Sequence, residues 1–121
     1  MDDVQQIVRL CRALGVEPRI QILSHLRGRA LCVGALAARL DVTQSAVSQH
    51  LRILRDAGLV SAERRGYFTH YRLNEAAVLH CVEITKRLFI GHIETERDDA
   101  ELKGGEKVCP RRKASAKNRR I

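Results

Sequence analysis

Between Thr43 and Val60 the chain reads TQSAVSQHLRILRDAGLV, and no other stretch limits the fold as tightly. Val47, Leu51 and Leu54 recur at i, i+4 and i+7, so they share one face of a helix and must meet a core. Thr43 is a good N-cap, its hydroxyl accepting from an early backbone N–H. The helix is expected to end at Ala57, with Gly58 left-handed at C′ and Leu59 folding back on the last turn. Ser45, Ser48, Gln49 and Arg52 recur on a different face. A solvated face is usually rich in Glu and Lys, whereas this one has no acid before Asp56 and only short side chains in its N-terminal half. Short donors and acceptors with one long cation suit a helix seated in a DNA major groove. There Gln and Arg read base edges and Ser reaches phosphates.

The flanking sequence extends that reading. Val4, Ile7, Cys11 and Leu14 predict a first helix ended by Gly15. Pro18 suits the first turn of a second helix, with Ile20, Leu23 and Leu26 as its buried stripe and Gly28 closing it. A short third helix is expected over Val33–Leu40, with Leu36 and Leu40 inward, before a tight turn at Asp41 and Val42. After the fourth helix come two strands, Val60–Arg64 and Phe68–Leu73, hinged at RRGY, where Gly66 is free to take positive φ. A long helix from Asn74 or Glu75 to about Arg97 is apolar on two sides: Val78, Val82, Thr85, Phe89 and Ile93 on one, Ala77, Cys81, Ile84 and Leu88 on the other. Such a helix is buried on two sides, one against its own core and one against a partner subunit. The fold expected is mainly α with a small β-hairpin, a dimeric winged helix-turn-helix in the order α-α-α-α-β-β-α. Residues 1–102 form its DNA-binding and dimerisation domain, and residues 103–121 a basic disordered tail.

Charge agrees. The net charge of +8 is concentrated: residues 19–72 hold nine Arg against three acids, and residues 103–121 hold eight Lys or Arg against one Glu. A basic patch of this kind suits a polyanion, with nucleic acid first. Arg64, Arg65 and Tyr67 fall at the hairpin tip, where they can lie along a DNA backbone or enter the minor groove. No run of about 18 apolar residues is present, and MDDVQQ lacks the basic and apolar regions of a signal peptide. A cytoplasmic protein with four reduced thiols is the expectation. Cys-x-x-Cys, a phosphate-binding glycine loop, a spaced Cys/His pair and paired carboxylates are all missing, which excludes an enzyme.

The segments EPRIQILSHL and ALCVGALAARLDVTQSAVSQHLRILRDAGLVSAERRGYFTHYRL resemble the ArsR/SmtB family of small dimeric repressors, over residues 4–95. The resemblance implies that the fourth helix reads a double-stranded operator through Thr43, Gln44, Ser45, Ser48, Gln49 and Arg52. It implies that the hairpin is the wing and that the first and last helices make a homodimer. It also implies release from DNA by a metal, a metalloid or a thiol oxidant.

The arsenic-sensing version has Cys-x-Cys at the start of the third helix; here LCVGAL supplies Cys32 but Gly34. The zinc-sensing positions hold Glu75, Ala77, Leu88 and Gly91, while His80, Glu83, His92 and Glu96 lie out of register. That leaves Cys11, Cys32, Cys81 and Cys109 as candidate metal or redox residues, with As(III), another soft metal, an oxidant or a persulfide as effector and no obligatory cofactor. Cys11 and Cys81 meet if the first and last helices pack together. Each is otherwise a small buried hydrophobe. An alternative remains: a winged-helix regulator, or an architectural nucleic-acid-binding protein, with no small effector.

Overall fold

The chain is described at residues 2–90 of a computed structural model. It divides into a unit from Met1 to Leu88 and a second from Phe89 to Ile121, of which only Phe89 and Ile90 are described. The expectations for Gly91, His92, Ile93, Glu96, Cys109 and the tail therefore lie outside the described residues.

Helix starts follow their caps. Asp2 accepts from Gln5 N at 2.8 Å and Gln5 Oε1 accepts from Asp2 N at 3.2 Å, a reciprocal box that opens α1, Asp3–Leu14. Pro18 sits in the first turn of α2, Glu17–His25. A two-residue strand β1, Leu31–Cys32, leads directly into α3, Val33–Leu40. Asp41 takes the left-handed conformation (φ 58°), which turns the chain into α4, Gln44–Asp56. Strands β2, Val60–Arg65, and β3, Phe68–Leu73, follow, and then α5, Glu75–Phe89.

The sheet is antiparallel in the order β1-β3-β2, with Cys32 and Glu63 both opposite His70. The expected winged helix-turn-helix is present, with one addition: the hairpin carries a third, very short strand. Among the described residues no helix is long and apolar enough to cross a membrane.

The core gathers Ile22, Leu26, Leu36, Val47, Leu51, Leu54, Leu59 and Val60. Three expectations need correction. Ile20 does not belong to the buried stripe of α2: it is 53% exposed, and Ile22 takes its place. On α1, Val4 is 57% exposed and Cys11 is exposed, while Ala13 faces inward. Gly28 does not close α2 directly. The helix stops at His25, capped by the Leu26 backbone, and Gly28 (φ 76°) lies in the turn beyond.

The fourth helix ends as expected. Gly58 is left-handed (φ 81°), its N–H bonds to Arg55 O, and Leu59 N–H reaches back to Leu54 O at 2.9 Å. Asn74 holds this corner, donating from Nδ2 to Gly58 O at 2.9 Å while its Oδ1 accepts from Ala77 N in the first turn of α5. Two contacts clip α1 to α5: Gln6 Oε1 with His80 Nε2 at 2.8 Å, and Asp3 with both Nε and Nη2 of Arg87 at 2.9 and 3.0 Å. The Arg87 guanidinium holds the Asp3 carboxyl below the usual carboxylate range.

Candidate nucleic-acid interface

The α3–turn–α4 unit sets the site. Thr43 Oγ1 accepts from Ala46 N at 3.1 Å, and the first turn of α4 holds no acid. The positive end of the helix is therefore free of side-chain negative charge. Val47, Leu51 and Leu54 are buried beneath. Thr43, Gln44, Ser45, Ser48, Gln49 and Arg52 are all exposed, so α4 and its N-cap present a polar face on an apolar foundation.

The wing stands after it. Gly66 takes φ 63° at the hairpin tip and Tyr67 beside it is 92% exposed. Arg64 Nε donates to Gly66 O at 3.2 Å, and Arg65 pairs with Glu63 at 3.5 Å. Adjacent strand residues point to opposite faces, so the two guanidinium groups leave the wing on different sides. Arg65 is the partly neutralised one.

Two residues not foreseen from sequence join the surface. Arg55 and Tyr71 line a pocket of about 330 Å3 together with Ser48 and Arg52. The signal for Arg55 was present, since 48, 52 and 55 share a helical face. Tyr71 comes from β3 and has no local signature. Arg52 and Arg55 share that opening with the Ser48 and Tyr71 hydroxyls and with the Asp56 carboxylate, whose charge offsets part of theirs. A further link reaches α4 from behind: Arg9 Nη2 on α1 donates to Asp56 O at 2.6 Å, at the helix C-terminus, where a cation is favourable.

The described thiols lie on three different elements. Cys81 is half-buried on α5, and burial pushes its thiol pKa up, with charge on Cys11 pushing it further. Cys11 and Cys81 belong to α1 and α5, the two helices clipped together by Gln6–His80 and Asp3–Arg87. Cys32 lies instead between β1 and α3. Among the described residues no group of three or more His, Cys, Asp or Glu is set to hold a metal. His80 is engaged by Gln6, and Glu83 lies 3.8 Å from Lys86.

A Cβ built on Gly34 would stand 4.0 Å from Cys32 Sγ and 3.6 Å from Gln44 Nε2, ordinary contact distances. Gly34→Cys should therefore fold and add a second thiol beside the first. In a Cys11→Ser/Cys81→Ser background it is expected to raise arsenite affinity by roughly 10²-fold, from two-point attachment. Absorbance titration reads this, and equal affinity with and without the substitution would contradict the placement.

Comparison with known proteins agrees with this geometry. Residues 17–62 match the model of the bacterial regulatory protein family arsR. The transcriptional activator HlyU of Vibrio cholerae is 40% identical over 82 residues, covering 68% of this chain and 76% of that protein. The transcriptional repressor SmtB of Mycobacterium tuberculosis is 45% identical over 73 residues, 60% of this chain and 54% of that one. An ArsR-like regulator from Rhodococcus superposes with a TM-score of 0.69 at 28% identity, covering 80% of this chain and 89% of its own. These relatives are regulators of transcription, not enzymes. An exposed polar helix on a winged scaffold, matched over most of the Vibrio protein's length, places this chain in the ArsR/SmtB family of winged helix-turn-helix regulators.

Proposed function

We propose that the protein is a homodimeric, sequence-specific DNA-binding repressor, released from its operator by a thiol-reactive effector. The observation that carries the DNA half is the joint exposure of Ser45, Ser48, Gln49 and Arg52 above a buried Val47–Leu51–Leu54 stripe, beside the wing. Gln49 and Arg52 read base edges, and Ser45 and Ser48 hold the backbone. Thr43 and Gln44 open the helix toward the duplex, while Arg64, Arg65 and Tyr67 supply the wing contacts. The basic residues 103–121 add affinity without sequence preference by releasing counterions. Dimerisation is supported by apolar side chains left open on two helices: Val4 and Val8 on α1, and Leu79 on α5. Two α4 helices then meet half-sites about 34 Å apart.

The effector half rests on Cys11 and Cys81. They sit on α1 and α5, the two helices that Gln6–His80 and Asp3–Arg87 hold together, and two thiols on adjoining helices fit a thiophilic ligand better than Cys32 alone. An arsenical or soft metal supplies bonds to both sulfurs. An oxidant removes two electrons from the pair, and the two thiol protons go to solvent. Cys11 lies two residues beyond Arg9, whose guanidinium holds the end of α4 through Asp56 O. A shift of α1 is thereby felt by the reading helix.

A duplex selected by the protein from random sequence provides the test. Arsenite, a persulfide donor or a mild oxidant should weaken wild-type binding about 5–150-fold, the range of ordinary allosteric coupling. Cys11→Ser and Cys81→Ser should respond to none of them. Unchanged binding in every lane refutes the effector, and failure to select any preferred sequence refutes the repressor.

A further inference from the structure

The buried core among the described residues is entirely aliphatic. The chain has two Tyr and two Phe, and two of those four stand side by side at the apex of the wing, Tyr67 92% and Phe68 62% exposed. Rings left in water forgo the burial that makes aromatic residues dominate cores and interfaces. Tyr67 is the most exposed large hydrophobic side chain among the described residues.

The apex is narrow and fixed. Arg65 and Phe68 stand opposite each other in the ladder, so Gly66 and Tyr67 alone make the turn. Gly66 supplies the positive φ that such a turn needs, and Arg64 ties its carbonyl from outside at 3.2 Å. Every residue from Glu63 to Phe68 is exposed, so the end of β2 projects from the body by three residues, roughly 10 Å. Two strands about 4.8 Å apart, with their side chains, overfill a minor groove about 6 Å wide, so only an apex side chain enters one.

The charges stand aside from that apex. Arg64 and Arg65 leave opposite faces of the hairpin, one for each of the two phosphate strands that border a groove. The Gly66 carbonyl takes one of the five N–H donors of Arg64. Arg65 has only a long, exposed pairing with Glu63, which yields readily to a phosphate. The sheet also continues the exposed face of α4, since Tyr71 of β3 shares an opening with Ser48 and Arg52. A bare ring between two cations suits a duplex, which offers flat bases between two anionic strands. An apolar protein surface has no counterpart for the arginines.

We propose that Tyr67 is a wedge: its ring enters the minor groove beside each half-site and parts a base step, while Arg64 and Arg65 hold the phosphates on either side. This rests on the DNA-binding reading above and adds how the wing selects sequence. A wedge of this kind kinks the duplex toward the major groove by about 20–90°. The cost of opening depends on the step and is least at the flexible pyrimidine–purine steps TA, CA and TG. The operator is therefore specified outside the bases that α4 touches, by a deformable step where the wing lands.

The experiment uses the full chain and a duplex that it selects from random sequence, with 2-aminopurine placed in turn at each step flanking a half-site. One flanking step should brighten on binding as its stacking is lost, and energy transfer between dyes on the duplex ends should report a kink. Tyr67→Ala should lose both signals and about tenfold in affinity, while still preferring the selected to a scrambled duplex. Tyr67→Phe should keep both signals, because the ring and not the hydroxyl parts the bases. Exchanging the flanking step for an A-tract should weaken the wild type by about tenfold and Tyr67→Ala hardly at all. The wedge is overturned if no flanking step brightens, if Tyr67→Ala still unstacks it, if Tyr67→Phe does not, or if the A-tract weakens both proteins alike. A selected duplex that stays stacked and straight overturns the wedge alone, whereas failure to select any duplex overturns the repressor reading with it.

Discussion

Replacing Gln49 and Arg52 together by alanine is expected to erase sequence preference, lowering affinity for a selected duplex by about 10³-fold or more, to the level of nonspecific binding. Each base contact of this type discriminates by about 1–3 kcal/mol, and a dimer loses both contacts in both half-sites. The two side chains are exposed on α4, so thermal stability should move by less than about 0.5 kcal/mol. Fluorescence anisotropy against the selected and a scrambled duplex separates the effects. The selected duplex should fall to the scrambled one, while the scrambled one weakens far less. A uniform loss on both would mean that Gln49 and Arg52 only hold the backbone.

Leu54→Ala should have the largest effect on stability. Leu54 is fully buried and lies under the reading face of α4, in the cluster with Leu26, Leu36 and Leu51. Its removal leaves a cavity between helices and is expected to cost about 2–5 kcal/mol. A domain of this size holds about 5–15 kcal/mol in all, so a sizeable share of its stability would go. Ile53→Ala, the neighbouring residue on the exposed side, should cost under about 1 kcal/mol. Urea midpoints for the pair check this. Equal losses would mean that α4 is not anchored through the Val47–Leu51–Leu54 stripe.

The reading helix was legible because one strong period carries it. Three apolar residues at i, i+4 and i+7, a Thr cap and a Gly at C′ all agree, and each is realised. The wing was legible from Gly66 between two alternating runs. Strand β1 was not, since two residues cannot display a period, and it exists only by pairing with β3. Ile20, Ile22 and Leu23 crowd into four positions of α2, with Leu26 just past its end, so spacing alone does not choose between Ile20 and Ile22. Packing under α4 chooses Ile22. α1 carries more apolar positions than one core needs, and nothing local says which stripe meets that core. The spacing of Val4, Ile7, Cys11 and Leu14 therefore marks the helix without naming its buried side, and Val4 and Cys11 lie outside.

Contacts between distant segments had no sequence signal at all. Arg9 with Asp56 and Asn74 with Gly58 are 47 and 16 residues apart, and both tie α4 to its neighbours. Tyr71 reaches the pocket beside Ser48 and Arg52 the same way, through the sheet.

The most direct measurement is an NMR titration of the isotope-labelled protein with its selected duplex, following backbone amides residue by residue. The largest shifts should fall on residues 43–52 of the turn and α4 and on 64–67 of the wing, with α2 and the middle of α5 nearly still. Shifts centred on α1 or α5, with 45, 48, 49 and 52 unmoved, would mean that nucleic acid meets a different surface and that the exposed face of α4 is not the reader.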